Sequence, residues 1–432
     1  MNTNSPRKSA LLTRGLPCAS LLAGFLQWRQ AKKRSHLATP VAVLMLLGSA
    51  GLVQGVPLTA QVVFGGAGDQ QGTSVTINAG NVFYSQNNSA TNDGVVGRYN
   101  GALTAQSWST PLGGSFGDMW GVAVSNSVYT TGSSRPPVLT VDTVGGAENK
   151  MVVGSIGTGG GAFSWRTQTP AAPGFFAYGG TENARDIAIS NSAGVDSIYA
   201  VGVGEAWNVY SHYGLTLAKL NEAGGVVTTA TYGGGGIFTA GAGVTTLGGN
   251  VFAVGNRGPS ALIRAYNGSL GSLWGEETVT GAYNNVTSFN GDIYAVGVNG
   301  ANGIVSRYNA ISGVRLWTQT YAGDMLNGIV GVNGSLYAAG RKGSDAVLLS
   351  LDATTGAVQN SQTFGGAGTD VFNDITVNST DGSLYAIGTT DSASLGANGK
   401  DVWITQFVPE PTSAVLLGFG ALLLGAQRRR NT

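Results

Sequence analysis

The sequence predicts an all-β fold built from repeated units of short strands. Glycine makes up 70 of the 432 residues, more than twice its usual share of about 7%. Charged residues account for only 10%, and the short apolar runs are rich in Val, Ile, Tyr and Thr, which is typical of strands joined by tight turns. No stretch between residues 61 and 407 shows the period of a long amphipathic helix.

A five-residue motif recurs along the chain: an aliphatic residue, an aromatic residue, two further residues and usually Gly. Its seven copies begin at Val82, Val128, Ile198, Val251, Ile293, Leu336 and Leu384. The fifth position is Gly in every copy except the first, which has Gln86. The spacing between copies is 42 to 53 residues, apart from one gap of 70. A period of about 40 to 50 residues with several strands per unit is typical of a β-propeller.

Each unit offers four strands, and the motif is the second of them. Seven first, second and third strands can be assigned, but only six fourth strands lie between them. The missing strand is at the start of the chain, where Gln61–Gly66 resembles the other fourth strands. We expect it to pair with Val402–Phe407, which removes the open edges of the sheet. The predicted fold is therefore a seven-bladed β-propeller of four-stranded blades, closed by the N-terminal strand of the mature chain.

The second and third units depart from the common spacing. In the second, the motif predicts a strand at Val128 and Tyr129, and Phe175–Gly179 is the predicted fourth strand. Long loops are expected at Ser133–Asn149 in the second unit and Val203–Gly214 in the third. Ser155–Gly174 is predicted to be an insert on the opposite face.

Glycine-rich turns precede two of the predicted first strands. They read Gly65-Gly66-Ala67-Gly68-Asp69 and Gly365-Gly366-Ala367-Gly368-Thr369-Asp370. These turns resemble those of the bacterial SBBP β-propeller repeat family, and the resemblance implies the fold without implying a chemistry. We interpret the glycines as sharp turns, because a phosphate-binding loop needs a following helix and usually a Lys.

The N-terminal 60 residues have the layout of a secretory signal peptide with a long n-region. A cationic segment ends at Arg34, and Val41–Val53 is an apolar core. Small residues then allow cleavage after Ala50, Gly55 or Ala60. A permanent anchor is the alternative, but the core is short for one.

The C-terminal segment 408–432 combines a turn, an apolar run and a cationic end. These are Val408-Pro409-Glu410-Pro411, residues 412–426, and Arg428, Arg429 and Arg430. Such an order predicts a short transmembrane helix with its arginines on the cytoplasmic side. It resembles the PEP-CTERM sorting signal. The resemblance implies processing by exosortase, a membrane protease, after transient anchoring in the inner membrane, and then release to the cell surface or outside. An ordinary C-terminal anchor is the alternative.

The predicted propeller, residues 61–407, is acidic although the whole chain is nearly neutral. It contains 13 of the 23 basic residues and 21 of the 22 acidic residues, a net charge of −8. Nucleic acid is therefore not an expected partner, because phosphate binding needs a basic patch. The single cysteine, Cys18, lies in the predicted signal segment, so no disulfide is expected in the propeller.

The sequence predicts neither a catalytic constellation nor a metal centre. The propeller has one histidine, His212, whereas a zinc site needs several His or Cys ligands. Glu276 and Glu277 should point to opposite faces of a strand and be solvated. Four residues in Gly-rich turns carry oxygen ligands of the kind that bind calcium, although turn formation is the expected role: Asp69, Asp370, Asn373 and Asp374.

The predicted loop 203–214 holds the best candidate ligand site. It contains Glu205, Trp207, Tyr210, His212 and Tyr213. Exposed aromatic rings with a few polar partners can bind sugars by stacking and hydrogen bonding; the alternative is that the rings cap the blade.

The expected function is a non-enzymatic binding or structural module at the cell surface or in the matrix, associated with exopolysaccharide or biofilm. The association with exopolysaccharide is what the PEP-CTERM resemblance implies. The alternative is an extracellular polysaccharide lyase or hydrolase, for which Asp or Glu, Tyr and Arg should converge at one end of the central channel.

Overall fold

The computed structural model describes residues 56–65, 68–89, 93–111, 117–124, 137–144, 150–160, 163–168, 181–206, 212–233 and 236–409. The strands of these residues are, in chain order, β1 (Leu58–Phe64), β2 (Gln70–Asn78), β3 (Asn81–Asn88), β4 (Asp93–Asn100), β5 (Gln106–Pro111), β6 (Gly117–Val124), β7 (Pro137–Val144), β8 (Lys150–Gly157), β9 (Phe163–Gln168), β10 (Thr181–Ser192), β11 (Val195–Ala206), β12 (His212–Asn221), β13 (Val226–Gly233), β14 (Thr239–Leu247), β15 (Asn250–Arg257), β16 (Ser260–Tyr266), β17 (Ser272–Thr280), β18 (Ala282–Phe289), β19 (Asp292–Asn299), β20 (Asn302–Asn309), β21 (Arg315–Tyr321), β22 (Asp324–Val332), β23 (Ser335–Lys342), β24 (Asp345–Asp352), β25 (Val358–Phe364), β26 (Asp370–Val377), β27 (Leu384–Thr390) and β28 (Asp401–Phe407). A short 3₁₀ turn, Ala393–Leu395, precedes β28.

The described strands form seven four-stranded antiparallel sheets. Sheets 1 to 6 each take four consecutive strands, starting with β2, β6, β10, β14, β18 and β22. Sheet 7 has the order β26-β27-β28-β1. The first strand of each sheet contacts the first strand of the next, and β26 contacts β2 to complete the cycle. The prediction of an all-β propeller is confirmed.

Sheet 7 joins the two ends of the described chain. β1 pairs antiparallel with β28, so that Val62 lies opposite Ile404 and Phe64 opposite Val402. The indole N–H of Trp403 donates to Oε1 of Gln61 (3.1 Å). The predicted closing pair is confirmed, and the strand begins at Leu58 rather than at Gln61.

The sequence-based assignment of sheet 2 was wrong for two strands. Its second strand is β7, which pairs with β6 and β8 inside the segment predicted to be a loop. Its fourth strand is β9, inside the predicted insert, rather than Phe175–Gly179. β7 is rich in Val and Thr, which favour strands, and Pro137 at its first position is acceptable because a strand end can lack an N–H donor. Val128, Tyr129 and Phe175–Gly179 lie outside the described residues.

The predicted loop 203–214 was also too long. β11 continues to Ala206 and β12 begins at His212, so the connection is shortened to residues 207–211.

The two terminal segments fall almost wholly outside the described part of the chain. Of the predicted sorting motif, Val408 and Pro409 follow β28 directly, whereas Glu410, Pro411, the apolar run and the three arginines are not described. The predicted signal segment is described only from Val56 onward. Within the described ranges, no helix has the length and apolarity needed to cross a bilayer.

The hydrophobic core lies between neighbouring sheets. One cluster joins Phe252 and Ile263 of sheet 4 to Tyr283 and Ile293 of sheet 5, all buried. A comparable cluster joins sheets 5 and 6. Because these side chains point out of the sheets, each blade is stabilised mainly by its neighbours.

Every first strand carries a β-bulge at the same place. The pairing register shifts by one residue, which leaves one extra residue on the first strand of each sheet. These extra residues are Thr73, Trp120, Arg185, Ala242, Asn284, Asn327 and Asn373. A bulge bends its strand and redirects the local side chain. The seven bulges therefore set how the inner strands meet at the channel.

The bulge explains the glycine that ends the repeated motif. A Cβ on Gly340 would overlap the carbonyl oxygen of Met325, which lies two residues before the bulge in the same sheet. The same overlap occurs at Gly255, Gly297 and Gly388. Glycine is thus required on the second strand because the bulged first strand occupies the space of a side chain.

The aromatic residue of the motif connects neighbouring sheets. The hydroxyl of Tyr294 donates to the carbonyl of Ala353 in the next sheet (3.1 Å). Tyr199 and Tyr385 make equivalent bonds to Gly268 and Gly101. The motif therefore encodes packing within one blade and attachment to the next.

We predict that Gly340→Ala lowers the melting temperature, because the new methyl group must displace backbone of the inner strand. Overpacking of this kind costs about 1–3 kcal/mol. Gly157→Ala is the matched control, since a Cβ there meets no atom within 4 Å. Thermal unfolding followed by circular dichroism measures both variants, and equal melting temperatures would refute this role of the bulge.

Candidate functional site: the channel mouth

A cavity of about 410 Å³ lies where the bulged first strands converge. Six of the seven bulge residues line it: Thr73, Arg185, Ala242, Asn284, Asn327 and Asn373. The ends of second strands also contribute, through Val203 and Asn256. Both sets lie on the face from which the loops between second and third strands emerge. We call this cavity the channel mouth.

Three asparagines at the bulges attach each sheet to the next. Nδ2 of Asn284 donates to the carbonyl of Leu326 (3.0 Å). Asn327 donates in the same way to Phe372 (2.9 Å), and Asn373 to Gly72 (2.8 Å). From sheet 5 to sheet 1, the wall of the channel mouth is therefore held by the same hydrogen bond three times, from an asparagine side-chain amide to a backbone carbonyl of the next sheet.

Two carboxylates follow bulge residues and also link sheets. Oδ2 of Asp186 accepts the backbone N–H of Val244 in the next sheet (2.8 Å). Oδ2 of Asp374 accepts both the N–H of Val75 (3.0 Å) and the hydroxyl of Ser74 (2.9 Å). Oδ1 of Asp374 also accepts the amide of Asn285 (3.3 Å).

The position of these carboxylates changes their acidity. Burial raises the pKa of Asp186 to about 7, and the negative charge of Asp374 adds to the effect. Burial raises the pKa of Asp374 to about 6, against the opposing effect of its hydrogen-bond donors. Both groups therefore titrate close to neutral pH, far above an ordinary aspartate.

The sequence-predicted ligand residues lie beside the channel mouth. Glu205 at the end of β11 pairs with Tyr213 on β12, and His212 pairs with Ala206. The half-buried ring of Tyr213 lies 4.8 Å from that of Phe238, centroid to centroid, and Phe238 lines the channel mouth. The structure therefore places Tyr213 and the strand positions of Glu205 and His212 together. Trp207 and Tyr210 lie outside the described residues.

Sequence reasoning identified Asn373 and Asp374 only as possible calcium ligands in a turn, and it missed the other residues of the channel mouth. Their own trace is positional: Asp186, Asn285 and Asp374 each stand early in a predicted first strand, where an apolar residue would be expected. Their role depends on the bulge, whose trace in the sequence is the glycine that ends the motif on the second strand.

The four residues considered for calcium have structural hydrogen bonds. Asp370 is buried, and its Oδ2 accepts the N–H of Gly366 (2.9 Å) and the hydroxyl of Ser392 (2.8 Å). Asp69 forms an ion pair with Lys400 (3.4 Å). Asn373 and Asp374 make the bonds between sheets given above. Among the described residues, no three His, Cys, Asp or Glu side chains are grouped in a way that could hold a metal ion.

Glu276 and Glu277 point to opposite sides, as expected, but they are not simply solvated. Oε1 of Glu276 pairs with Arg315 (3.1 Å), and Oε2 of Glu277 pairs with Arg257 (3.0 Å). Glu277 also accepts the hydroxyl of Tyr232. The Glu276–Arg315 ion pair links sheet 4 to sheet 5, and the hydroxyl of Tyr232 links Glu277 to sheet 3, whereas the Glu277–Arg257 pair lies within sheet 4. Both glutamates therefore support the structure.

Comparison with solved structures shows the same class of fold. The crystal structure of the WD40 repeats of RRP9 superimposes with a TM-score of 0.53 over 82% of this chain and 100% of its own, at 10% identity. A computationally designed protein, Ika8, gives a TM-score of 0.43 over 81% of this chain and 99% of its own, at 11% identity. Neither a protein-family model nor a curated protein matches the sequence. The likeness to the RRP9 repeats shows that this chain has a β-propeller fold.

We predict that Asp186→Asn weakens the dependence of stability on pH. The pKa of Asp186 is higher in the folded state than its ordinary value of 3.8. The folded state therefore holds the proton more tightly between about pH 4 and pH 7, and stability falls as the pH rises through that range. An asparagine does not titrate. The drop in melting temperature from about pH 5 to pH 8 should be smaller in the variant than in the wild type.

Asp352→Asn is the control for this pH experiment. Hydrogen bonds from Thr355 lower the pKa of Asp352, so the group is ionised throughout the range tested. Its profile should run parallel to that of the wild type, even if displaced. A parallel profile for Asp186→Asn as well would contradict the raised pKa.

Proposed function

We propose that the protein is an exported, non-enzymatic binding module whose channel mouth binds a polysaccharide. The single observation that supports this is the amide-rich, polar lining of the cavity. Amides of Asn256, Asn284, Asn327 and Asn373 converge there beside an aromatic ring. Amide groups both donate and accept hydrogen bonds, which suits the hydroxyl groups of a sugar.

Phe238 is the aromatic element of this site. Its side chain remains 45% exposed although it lines the cavity. An exposed ring beside polar groups can stack on the apolar face of a sugar ring. The acidic charge of residues 61–407 further favours a neutral glycan over a polyanion.

The sorting route remains part of the same proposal. The signal segment, predicted over residues 1–60, directs export and ends by Gly55, because Val56 packs in the core and β1 begins at Leu58. The PEP-CTERM tail, residues 408–432, is processed by an exosortase-type protease at the inner membrane. The ring has seven blades of the SBBP type, one for each four-stranded sheet. After processing, the protein acts at the cell surface or in the matrix of a biofilm.

A second candidate function is a polysaccharide hydrolase or lyase. The observation that favours it is the pair of carboxylates at the channel mouth, Asp186 and Asp374, whose raised pKa values suit general acid catalysis. Arg185 lines the same cavity. Against it, each carboxylate already accepts hydrogen bonds that hold neighbouring sheets. We therefore favour binding.

A glycan-binding screen on the purified full chain tests the proposal. We expect Phe238→Ala to reduce the affinity for a bound glycan about 10-fold, because the loss of one stacking ring costs roughly 1–2 kcal/mol. Ile311→Ala is the control, because Ile311 is 89% exposed in a turn between third and fourth strands, on the opposite face. Calorimetry should show unchanged affinity for that variant.

The same preparations separate binding from catalysis. Incubation with each bound glycan should release no reducing ends and no unsaturated products. Product formation that is lost in Asp374→Asn would favour the enzyme, whereas equal binding by Phe238→Ala and wild type would refute the channel-mouth site.

A further inference from the structure

A second cavity, of about 480 Å³, lies at the seam between sheet 7 and sheet 1. We call it the seam cavity. Its walls come from β2 and β3 on one side and from β26 and β27 on the other, with the segment before β28 at its edge. The two sheets brought together by ring closure therefore both contribute. Its lining is polar apart from Val371.

The floor of the seam cavity contains a buried hydroxyl without a partner. Thr389 is 9% exposed and lines the cavity, and its Oγ1 has no hydrogen-bond partner among the described residues. A buried polar atom that lacks a partner carries a desolvation cost that no hydrogen bond offsets. A ligand hydroxyl at this position would remove that cost.

The first copy of the motif has Gln86 in place of the usual glycine, and this residue lies next to the floor of the seam cavity. Gln86 stands opposite Gly72, beside the cavity-lining pair Gln71 and Asn87 in the β2–β3 ladder. Nε2 of Gln86 donates to Oε1 of Gln70 (3.1 Å), which orients Gln70, while Oε1 of Gln86 has no partner in the described part of the chain. Gln70 is 4% exposed and lines the cavity. Sheet 1 thus has a polar side chain at the motif position where, in four other sheets, a carbonyl of the first strand leaves room only for glycine.

The rim of the cavity carries two acidic side chains, Asp69 and Asp391, and one basic side chain, Lys400. The ammonium group of Lys400 pairs with Asp69 across the seam at 3.4 Å. Asp391 on the same rim accepts the backbone N–H of Thr369. Because the rim has a net charge of −1 and Lys400 is already paired with Asp69, it disfavours an anionic ligand. The amides and hydroxyls of the lining are the groups offered to a neutral ligand.

The two cavities are neighbours, because Gln71 lines both of them. A chain-like ligand bound at the channel mouth could therefore continue outward over Gln71 into the seam cavity. A single small sugar could fill only one of the two.

We propose that the seam cavity binds a further segment of a linear, neutral oligosaccharide whose first segment occupies the channel mouth. This inference rests on the proposed function and names its ligand class. Thr389 and Gln70 hydrogen-bond sugar hydroxyls at the floor, and Gln71 spans the two segments. Because the bound chain contacts sheets 7 and 1 together, it also stabilises the closed ring.

The test compares long and short probes on the purified full chain by calorimetry and thermal unfolding. Cellohexaose and chitohexaose are measured against cellobiose and chitobiose. We expect the hexasaccharide of the recognised sugar to bind at least about 10-fold more tightly than its disaccharide, and to raise the melting temperature more at equal saturation. Thr389→Val should lower the hexasaccharide affinity about 5- to 10-fold, as expected for one lost hydrogen bond, and leave disaccharide affinity unchanged.

Thr216→Val is the matched control, since Thr216 is also buried with an unpartnered hydroxyl but lies on β12 of sheet 3. Both valine variants should fold at least as stably as the wild type, because each removes a buried unpaired group at constant shape. If Thr389→Val binds the hexasaccharide as the wild type does while Phe238→Ala does not, the seam site is refuted and the channel-mouth proposal stands. If no probe binds the wild type, both are refuted.

Discussion

The β-bulge on each inner strand is the constraint on which the rest of the structure depends. It occupies the space beside the second strand, so the last residue of the motif must be glycine in four sheets. It also adds one residue to each first strand, and six of these seven residues line the channel mouth. Among them, Asn284, Asn327 and Asn373 bond sheets 5, 6 and 7 to the sheet that follows each. The motif glycine and the lining of the channel mouth thus share one backbone cause.

The blades are held together differently at their two ends. Near the channel mouth, bulge asparagines and two aspartates bond to the backbone of the following sheet. Near the opposite face, tyrosine hydroxyls of the motif reach the turns between third and fourth strands. Between these layers the contacts are apolar. The interfaces of sheet 3 with 4, sheet 5 with 6 and sheet 7 with 1 therefore have directional hydrogen bonds at both edges and apolar burial in the middle.

The all-β propeller fold could be predicted because glycine, strand-forming residues and period are local properties of the sequence. The pairing of β1 with β28 could be predicted as well, since a missing fourth strand at the start implies a partner at the end. Sheet 2 could not be assigned correctly, because Val128 and Tyr129 match the motif while Pro137–Val144 is the better strand-forming segment. The site was predicted only at its edge. Tyr213 was identified as an aromatic residue of a loop, whereas Asp186 and Asp374 lie beside the channel only because a bulge turns them there.

The pairing of β1 with β28 has a consequence for how the chain acquires its fold. Leu58 meets Phe407 across nearly the whole length of the sequence, and contacts of such separation form slowly because loop-closure entropy must be overcome first. On a ribosome, β1 would be made first and would have to wait for the last strand of its own sheet. Until then, β1 and the first sheets expose strand edges that can pair wrongly with other chains. Closure of the ring therefore competes with aggregation until the last strand has been synthesised. A chaperone that shields β1 during this time would favour the native fold.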